Sequence, residues 1–178
     1  ILNLPCFRQM SGQFIASSTG DWFHDKDSLS LAGLQQQNPT WYWEDVAYGL
    51  NRLQEIALGG DRYVYRISES ACLIHLPAEN RRYKEYAILN AGGAYGAVCT
   101  MVEALPTAAK LNELGMDCFC LNYRTATPDS FIDGLMPKPL EDLALAWKYI
   151  KSNEAALRLD AENYIVGGFS AGGHLTAM

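Results

Sequence analysis

From Trp41 to Leu58, apolar residues recur at Trp43, Val46, Ala47, Leu50, Leu53 and Ala57, the spacing of one face of a helix. Asn38-Pro39-Thr40 is a helix-start signal, with proline suited to the first turn, and Gly59-Gly60 is a stop. The period then changes. Tyr63-Val64-Tyr65-Arg66-Ile67 and Ala71-Cys72-Leu73-Ile74-His75-Leu76 read as strands, separated by Ser68-Glu69-Ser70 and ended by Pro77. Tyr86-Ala87-Ile88-Leu89 is a continuous apolar run, expected of a strand buried on both faces. Pro106 to Leu114 predicts a helix closed by Gly115, its start reaching back toward Met101, and Asp117 to Leu121 predicts a strand. A proline-rich loop follows over 128–139. Leu140 to Lys151 predicts a helix with Leu143, Ala144, Trp147 and Ile150 on one face; Tyr164 to Val166 reads as a strand, and a helix opens at Ala171. Residues 1–38 carry little periodicity and read as an irregular arm, aromatic and acidic around Asp21-Trp22-Phe23-His24-Asp25 and ending in Gln35-Gln36-Gln37-Asn38.

From residue 86 the order is strand, loop, helix, strand, loop, helix, strand, turn, helix. Such alternation implies right-handed βαβ units and a mostly parallel, doubly wound sheet of the α/β class. Ligands of such sheets bind at the C-terminal ends of strands. Both glycine-rich elements, 91–96 and 167–173, fall at such ends.

Composition narrows the function classes. Hydrophobic residues are 49% of the 178 and charged residues 19%, which is incompatible with disorder over most of the chain. The net charge is -6 and no basic cluster exceeds Arg81-Arg82, which argues against nucleic acid as a partner. The apolar runs fall far short of the roughly 20 residues of a membrane span. Ile1-Leu2-Asn3-Leu4-Pro5 lacks the charged and apolar regions of a signal peptide. Five cysteines, Cys6, Cys72, Cys99, Cys118 and Cys120, form no C-x-x-C. Cys118 and Cys120 fall on one face of a strand, and buried free thiols in a reducing, cytoplasmic setting are the expectation.

The chemistry concentrates in two stretches. Gly168-Phe169-Ser170-Ala171-Gly172 is G-x-S-x-G placed between an apolar strand and a helix. A serine on that turn is lifted above the sheet, with glycines at −2 and +2 because the backbone there approaches its neighbours. Asn90-Ala91-Gly92-Gly93-Ala94-Tyr95 follows an earlier strand. Its small residues leave backbone N–H groups free to face a ligand oxygen, as an oxyanion hole requires. A phosphate cradle is the alternative, but neither Lys-Ser/Thr nor a full G-x-G-x-x-G accompanies the loop.

Together, Gly92-Gly93-Ala94-Tyr95, Leu121-Asn122-Tyr123-Arg124, Pro139 with Asp142, and Gly168-Phe169-Ser170-Ala171-Gly172-Gly173-His174-Leu175 resemble the ordered landmarks of α/β-hydrolase esterases. The hormone-sensitive-lipase-like and acetyl-esterase-like group is the nearest in type, over about residues 60–178. The family loop reads His-Gly-Gly-Gly-aromatic; here Ala91 takes the His place and Ala94 the third Gly place. The resemblance implies that Ser170 is the nucleophile and that the N–H groups of Gly93, Ala94 and Ala171 are the oxyanion donors. Gly92, Tyr95, Gly168 and Gly172 would support the site, with no metal and no cofactor. Residues 1–60 would then be an arm and amphipathic helix, a candidate cap, and 61–178 the N-terminal part of the catalytic domain. Arg124 and Asp142 are expected to form a structural pair at a strand end.

A base for Ser170 is harder to find. His174 lies one helical turn past the serine and is expected to be packed or hydrogen-bonded there; His75 is inside a strand, and His24 is in the arm. Family order places the acid and the histidine after the nucleophile, so the expectation is a sheet incomplete after the nucleophile strand and helix. The exposed edge would be covered by further chain or by a second copy. The function so implied is hydrolysis of small or medium acyl esters, such as acetylated sugars, through an acyl-serine. The alternatives are a peptidase or lactone hydrolase on the same fold, and a non-catalytic binding module.

Overall fold

The computed structural model describes residue 5 and residues 30–37, 39, 41–126 and 134–178. The strands are β1 (Val64–Arg66), β2 (Cys72–Leu76), β3 (Tyr86–Asn90), β4 (Asp117–Asn122) and β5 (Tyr164–Gly168). The helices are α1 (Leu31–Gln37), α2 (Trp43–Leu58), α3 (Ala104–Glu113), α4 (Lys138–Ser152), α5 (Glu154–Leu157) and α6 (Ala171–Ala177). The strands form one mixed sheet in the order β1-β2-β4-β3-β5. β3 pairs in parallel with both β4 and β5, as the alternation from residue 86 implies, while β1 with β2 and β2 with β4 are antiparallel.

The chain moves from β3 through α3 to β4 on one side, then from β4 through α4 to β5 on the other. Right-handed crossovers in opposite directions put α3 and α4 on opposite faces. Every residue of β3 and β4 is therefore buried, and both strands are apolar on both faces rather than alternating. Helix α2 lies against α3; a Cβ at Gly49 would come within 2.8 Å of the Leu105 carbonyl carbon. Its Val46, Leu50, Leu53 and Ile56 join the same core as Leu73, Ile88, Phe119 and Leu121.

The N-terminal stretch departs from its sequence pattern in two places. Leu31–Gln37 is a helix rather than part of an irregular arm, and Ser30 Oγ accepts the Gly33 N–H at 3.0 Å, a cap on its first turn. Helix α2 starts at Trp43 rather than near Pro39, because Gln35 Oε1, from the polar run, accepts the Trp43 N–H at 2.9 Å. Cys6, Trp22, Phe23, His24 and the loop over 127–133 lie outside the described residues.

At the N-terminal end of β4, Asp117 is fully buried. Its carboxylate accepts hydrogen bonds from Arg81 Nε (2.9 Å) and from the Ala78 N–H (3.0 Å), and lies 2.9 Å from His75 Nε2. Burial alone would raise this carboxyl, but the bonds from His75, Arg81 and Ala78 more than offset it and hold it below 3.8. A lowered carboxylate stabilises the fold fully above its unfolded value, and that contribution is lost as pH falls through the lower folded value. Asp117→Asn is therefore expected to cost about 3–5 kcal/mol at pH 7, as when one partner of a buried ion pair is removed. It should also flatten the loss of stability below pH 3.8. Urea unfolding checks this, and equal stabilities at pH 7 would contradict it.

Cys72, Cys99, Cys118 and Cys120 are free thiols, the last three buried. Burial pushes Cys72 to about 11 and Cys99 to about 12, and raises Cys118 and Cys120 further. Thiolate is the reactive form. At pH 8 the folded protein should therefore leave these four unreacted with an aromatic disulfide reagent and release all four on unfolding. Prompt reaction of two or more thiols in the folded state would contradict this burial. Among the described residues, no helix is long and apolar enough to cross a membrane.

Candidate active site

β5 ends at Gly168, α6 begins at Ala171, and Ser170 occupies the turn between them with φ 48° and ψ −119°. A positive φ at a non-glycine residue is strained, and such strain persists only where surroundings enforce it. Here the enforcing groups are backbone. The Phe169 N–H donates to Asn90 O at 3.0 Å. A Cβ at Gly168 would collide with the Gly172 carbonyl and sit 2.6 Å from Thr176 Oγ1. A Cβ at Gly172 would collide with Asn90 O and sit 2.5 Å from Ala91 O. The two glycines around the serine are therefore dictated by close approach of the elbow to β3. A serine ahead of a helix normally caps it, yet Ser170 makes no side-chain cap bond. The residue is exposed, so its hydroxyl stands at the open end of the sheet.

The Gly-rich loop meets the elbow directly. A Cβ at Gly92 would sit 2.8 Å from Ser170 Cβ and 2.8 Å from Phe169 O. Gly93, Ala94 and Tyr95 follow with φ of 128°, 51° and 60°. Gly93 O accepts from the Gly96 and Ala97 N–H groups, while among the described residues no protein group accepts the N–H of Gly93, Ala94 or Ala171. The loop and the serine turn, 78 residues apart from Gly92 to Ser170, are thus brought together at the ends of adjacent strands.

Several ties hold the loop. Tyr123 Oη donates to Ala91 O at 2.6 Å, and the Ala126 N–H donates to Tyr95 O at 2.7 Å. Tyr95 Oη lies 2.8 Å from His174 Nδ1, and the two rings meet edge-on. The Gly92 N–H donates to Glu103 Oε2 at 2.6 Å. Burial raises the half-buried Glu103 carboxyl, with the Gly92 N–H acting against it. Sequence reasoning missed Glu103 in this role. The signal available was a single acid inside the otherwise uncharged stretch from Ala97 to Leu105. The expected Arg124–Asp142 pair forms: Arg124 Nε donates to both carboxylate oxygens at 2.9 Å, and the Arg124 N–H to Oδ2 at 2.8 Å. Asp142 is fully buried by it, at the start of α4.

No described histidine is hydrogen-bonded to the Ser170 hydroxyl. His174 Nδ1 is engaged by Tyr95. His75 stacks on Phe119 at 4.3 Å and binds Asp117 at the N-terminal end of β4, the far end of the sheet from Ser170. His24 lies outside the described residues. Among the described residues no cluster of His, Cys, Asp and Glu could hold a metal ion.

Fold and elbow together define an α/β hydrolase. Similar solved structures include the acetyl ester-xyloside bifunctional hydrolase from Caldicellulosiruptor lactoaceticus, 29% identical with a TM-score of 0.50, over 60% of this chain and 37% of that one. MGS-M1, an α/β-hydrolase enzyme from a Medee basin deep-sea metagenome library, is 26% identical with a TM-score of 0.53, over 63% and 47%. Thermogutta terrifontis esterase 2, 21% identical with a TM-score of 0.54 over 64% and 44%, shares the fold. Residues 73–178, more than half of the chain, match the BD-FAE family, and the chain belongs to that family. An 84-residue stretch, 47% of the chain, is 33% identical to endo-1,4-beta-xylanase B of Butyrivibrio fibrisolvens, 13% of that protein's length. The chain spans less than half the length of each of these proteins.

Proposed function

We propose that this chain carries the nucleophile and oxyanion hole of a carboxylic ester hydrolase. The observation that carries the reading is Ser170, exposed on a strained turn, with an uncapped hydroxyl and its Cβ against Gly92. Ser170 Oγ attacks the ester carbonyl carbon, forming a C–O bond while the carbonyl π pair moves to oxygen. That oxyanion falls to the N–H groups of Gly93, Ala94 and Ala171, donors that find no acceptor among the described residues. Its stabilisation by such donors contributes about 2.7–4 kcal/mol each to lowering the barrier. Collapse expels the alcohol and leaves an acyl-serine, and water attacks that ester to release the acid and restore Ser170. The proton of Oγ passes to a histidine outside the 178 residues, oriented by an acid also outside them, and that histidine returns it to the departing alcohol. No step calls for a metal or organic cofactor.

The proposed substrates are small or medium acyl esters, acetylated sugars among them. The support is the likeness to an acetyl ester-xyloside bifunctional hydrolase, and a matched stretch within an endo-1,4-beta-xylanase. The 178-residue chain by itself should turn over a chromogenic acetate or butyrate ester at least about 10³-fold more slowly than the complete gene product, because part of the proton relay is lacking. Side-by-side kinetics check this. Equal activity would place the base within the 178 residues, and an intact complete protein with no activity on any acyl ester would contradict the esterase reading.

A further inference from the structure

Two of the three oxyanion donors, the N–H groups of Gly93 and Ala94, belong to a loop that has no intrinsic preference for its shape. Ala94 and Tyr95 both sit at positive φ beside Gly93, and left-handed non-glycine residues cost of order 1–3 kcal/mol each unless the surroundings fix them. Ala91, where the loop leaves β3, offers no side chain to brace it. The bracing comes instead on the peptide unit joining Ala91 to Gly92. Its carbonyl oxygen accepts the Tyr123 hydroxyl at 2.6 Å, and its N–H donates to Glu103 Oε2 at 2.6 Å. A peptide unit is planar, so partners at both ends fix its rotation. The next carbonyl, Gly92 O, is held by the Cys99 N–H at 2.9 Å, and the Glu103 N–H returns to Cys99 O at 3.1 Å. Glu103 is thereby tied to the loop by both side chain and backbone. It meets Gly92 beside Ser170: the position a Gly92 Cβ would take is 3.2 Å from Glu103 Oε2 and 2.8 Å from Ser170 Cβ.

We infer that Glu103 is a positioning residue for catalysis, clamping the Ala91–Gly92 peptide with Tyr123 so that the N–H groups of Gly93 and Ala94 stay aimed beside Ser170. This rests on Ser170 being the nucleophile. Glu103 touches no reacting atom; it acts through Gly92. A bond from an N–H to a carboxylate is about twice as strong as its neutral counterpart, which suits a group that must hold strained backbone. A donor that contributes mainly in the transition state changes kcat rather than KM when it is misplaced.

The test uses the complete gene product, with kcat and KM on a chromogenic acyl ester and inhibition by a trifluoromethyl ketone, whose serine adduct carries an oxyanion. Glu103→Ala should lower kcat by about 10²- to 10³-fold, the loss typical of one oxyanion donor. KM should stay within about threefold, and the ketone should weaken in step with kcat. Glu103→Gln keeps an oxygen that can accept the Gly92 N–H and should recover at least about tenfold over alanine. A folded Glu103→Ala enzyme with kcat within threefold of wild type overturns the inference, as does Glu103→Gln no faster than Glu103→Ala. If Glu103→Ala does not fold, Glu103→Asp decides. Its shorter carboxylate withdraws from Gly92, so kcat should fall at least tenfold, and an unchanged kcat overturns the proposal. Ser170→Ala run alongside separates the two readings. If it retains wild-type activity, the nucleophile assignment fails; if it is inactive while Glu103→Ala is not impaired, only the clamp fails.

Discussion

Ser170→Ala in the complete protein is expected to reduce kcat on an activated acyl ester by at least about 10⁴-fold while leaving the fold intact, since removing a catalytic nucleophile typically costs 10⁴–10⁶. The fold should survive because what holds the turn is backbone: Phe169 N–H on Asn90 O, and the glycines that let Gly168 and Gly172 close on their neighbours. Alanine inherits the same φ of 48° that serine already tolerates, and the lost hydroxyl makes no cap bond to α6. The thermal midpoint should move by no more than a few degrees, about 1 kcal/mol in a domain of this size. KM, where measurable, should change little, because only the hydroxyl of Ser170 is removed. A Ser170→Ala protein within tenfold of wild-type kcat would remove Ser170 from the chemistry.

The second large effect concerns stability and has an unexpected sign. Gly172 and Gly173 are adjacent in α6, and helix propensity alone predicts that alanine at either stabilises by about 1 kcal/mol. Gly172 is buried against β3, where a Cβ would collide with Asn90 O and stand 2.5 Å from Ala91 O. The obstacle is backbone at the end of β3, a strand paired on both sides, so it cannot rotate away. Gly172→Ala should therefore destabilise by about 3 kcal/mol or more, the upper end of overpacking. It should also lower kcat, because α6 must back away from Asn90 and carry Ser170 with it. At Gly173 the nearest obstacle is Gly168 O at 3.3 Å, and Gly173→Ala should stay within about 1 kcal/mol of wild type. Denaturant melts of the two variants decide the matter; equal stabilities would mean that the elbow does not sit on β3 as described.

The sequence made the apolar framework readable because burial on both faces leaves a plain signature. Tyr86-Ala87-Ile88-Leu89 and Asp117-Cys118-Phe119-Cys120-Leu121 could hardly be surface strands, and each is buried throughout. The serine turn was legible for a similar reason: close backbone approach excludes side chains, and glycine at 168 and 172 records that exclusion. What escaped were features decided by a single polar contact. Ser30 capping Gly33 and Gln35 reaching Trp43 N–H fix where α1 and α2 begin, and neither leaves a periodic trace. Glu103 escaped because an acid ahead of a helix has many ordinary explanations, and only the fold brings it to Gly92, 11 residues earlier. The pairing of β2 with β4 was also invisible, since two short apolar strands carry no record of which neighbour they choose. The positions of His75 and His174 alone predict structural roles, and each has a partner that agrees: Asp117 for one, Tyr95 for the other.

The chemistry of the site meets its most direct trial in covalent labelling of the folded, complete protein with a serine-reactive phosphonate, followed by peptide mass mapping. The expected result is one adduct per chain on the peptide that contains Ser170, absent from the Ser170→Ala protein. No adduct in a folded protein, or an adduct that persists when Ser170 is alanine, would contradict the assignment of Ser170 as the nucleophile.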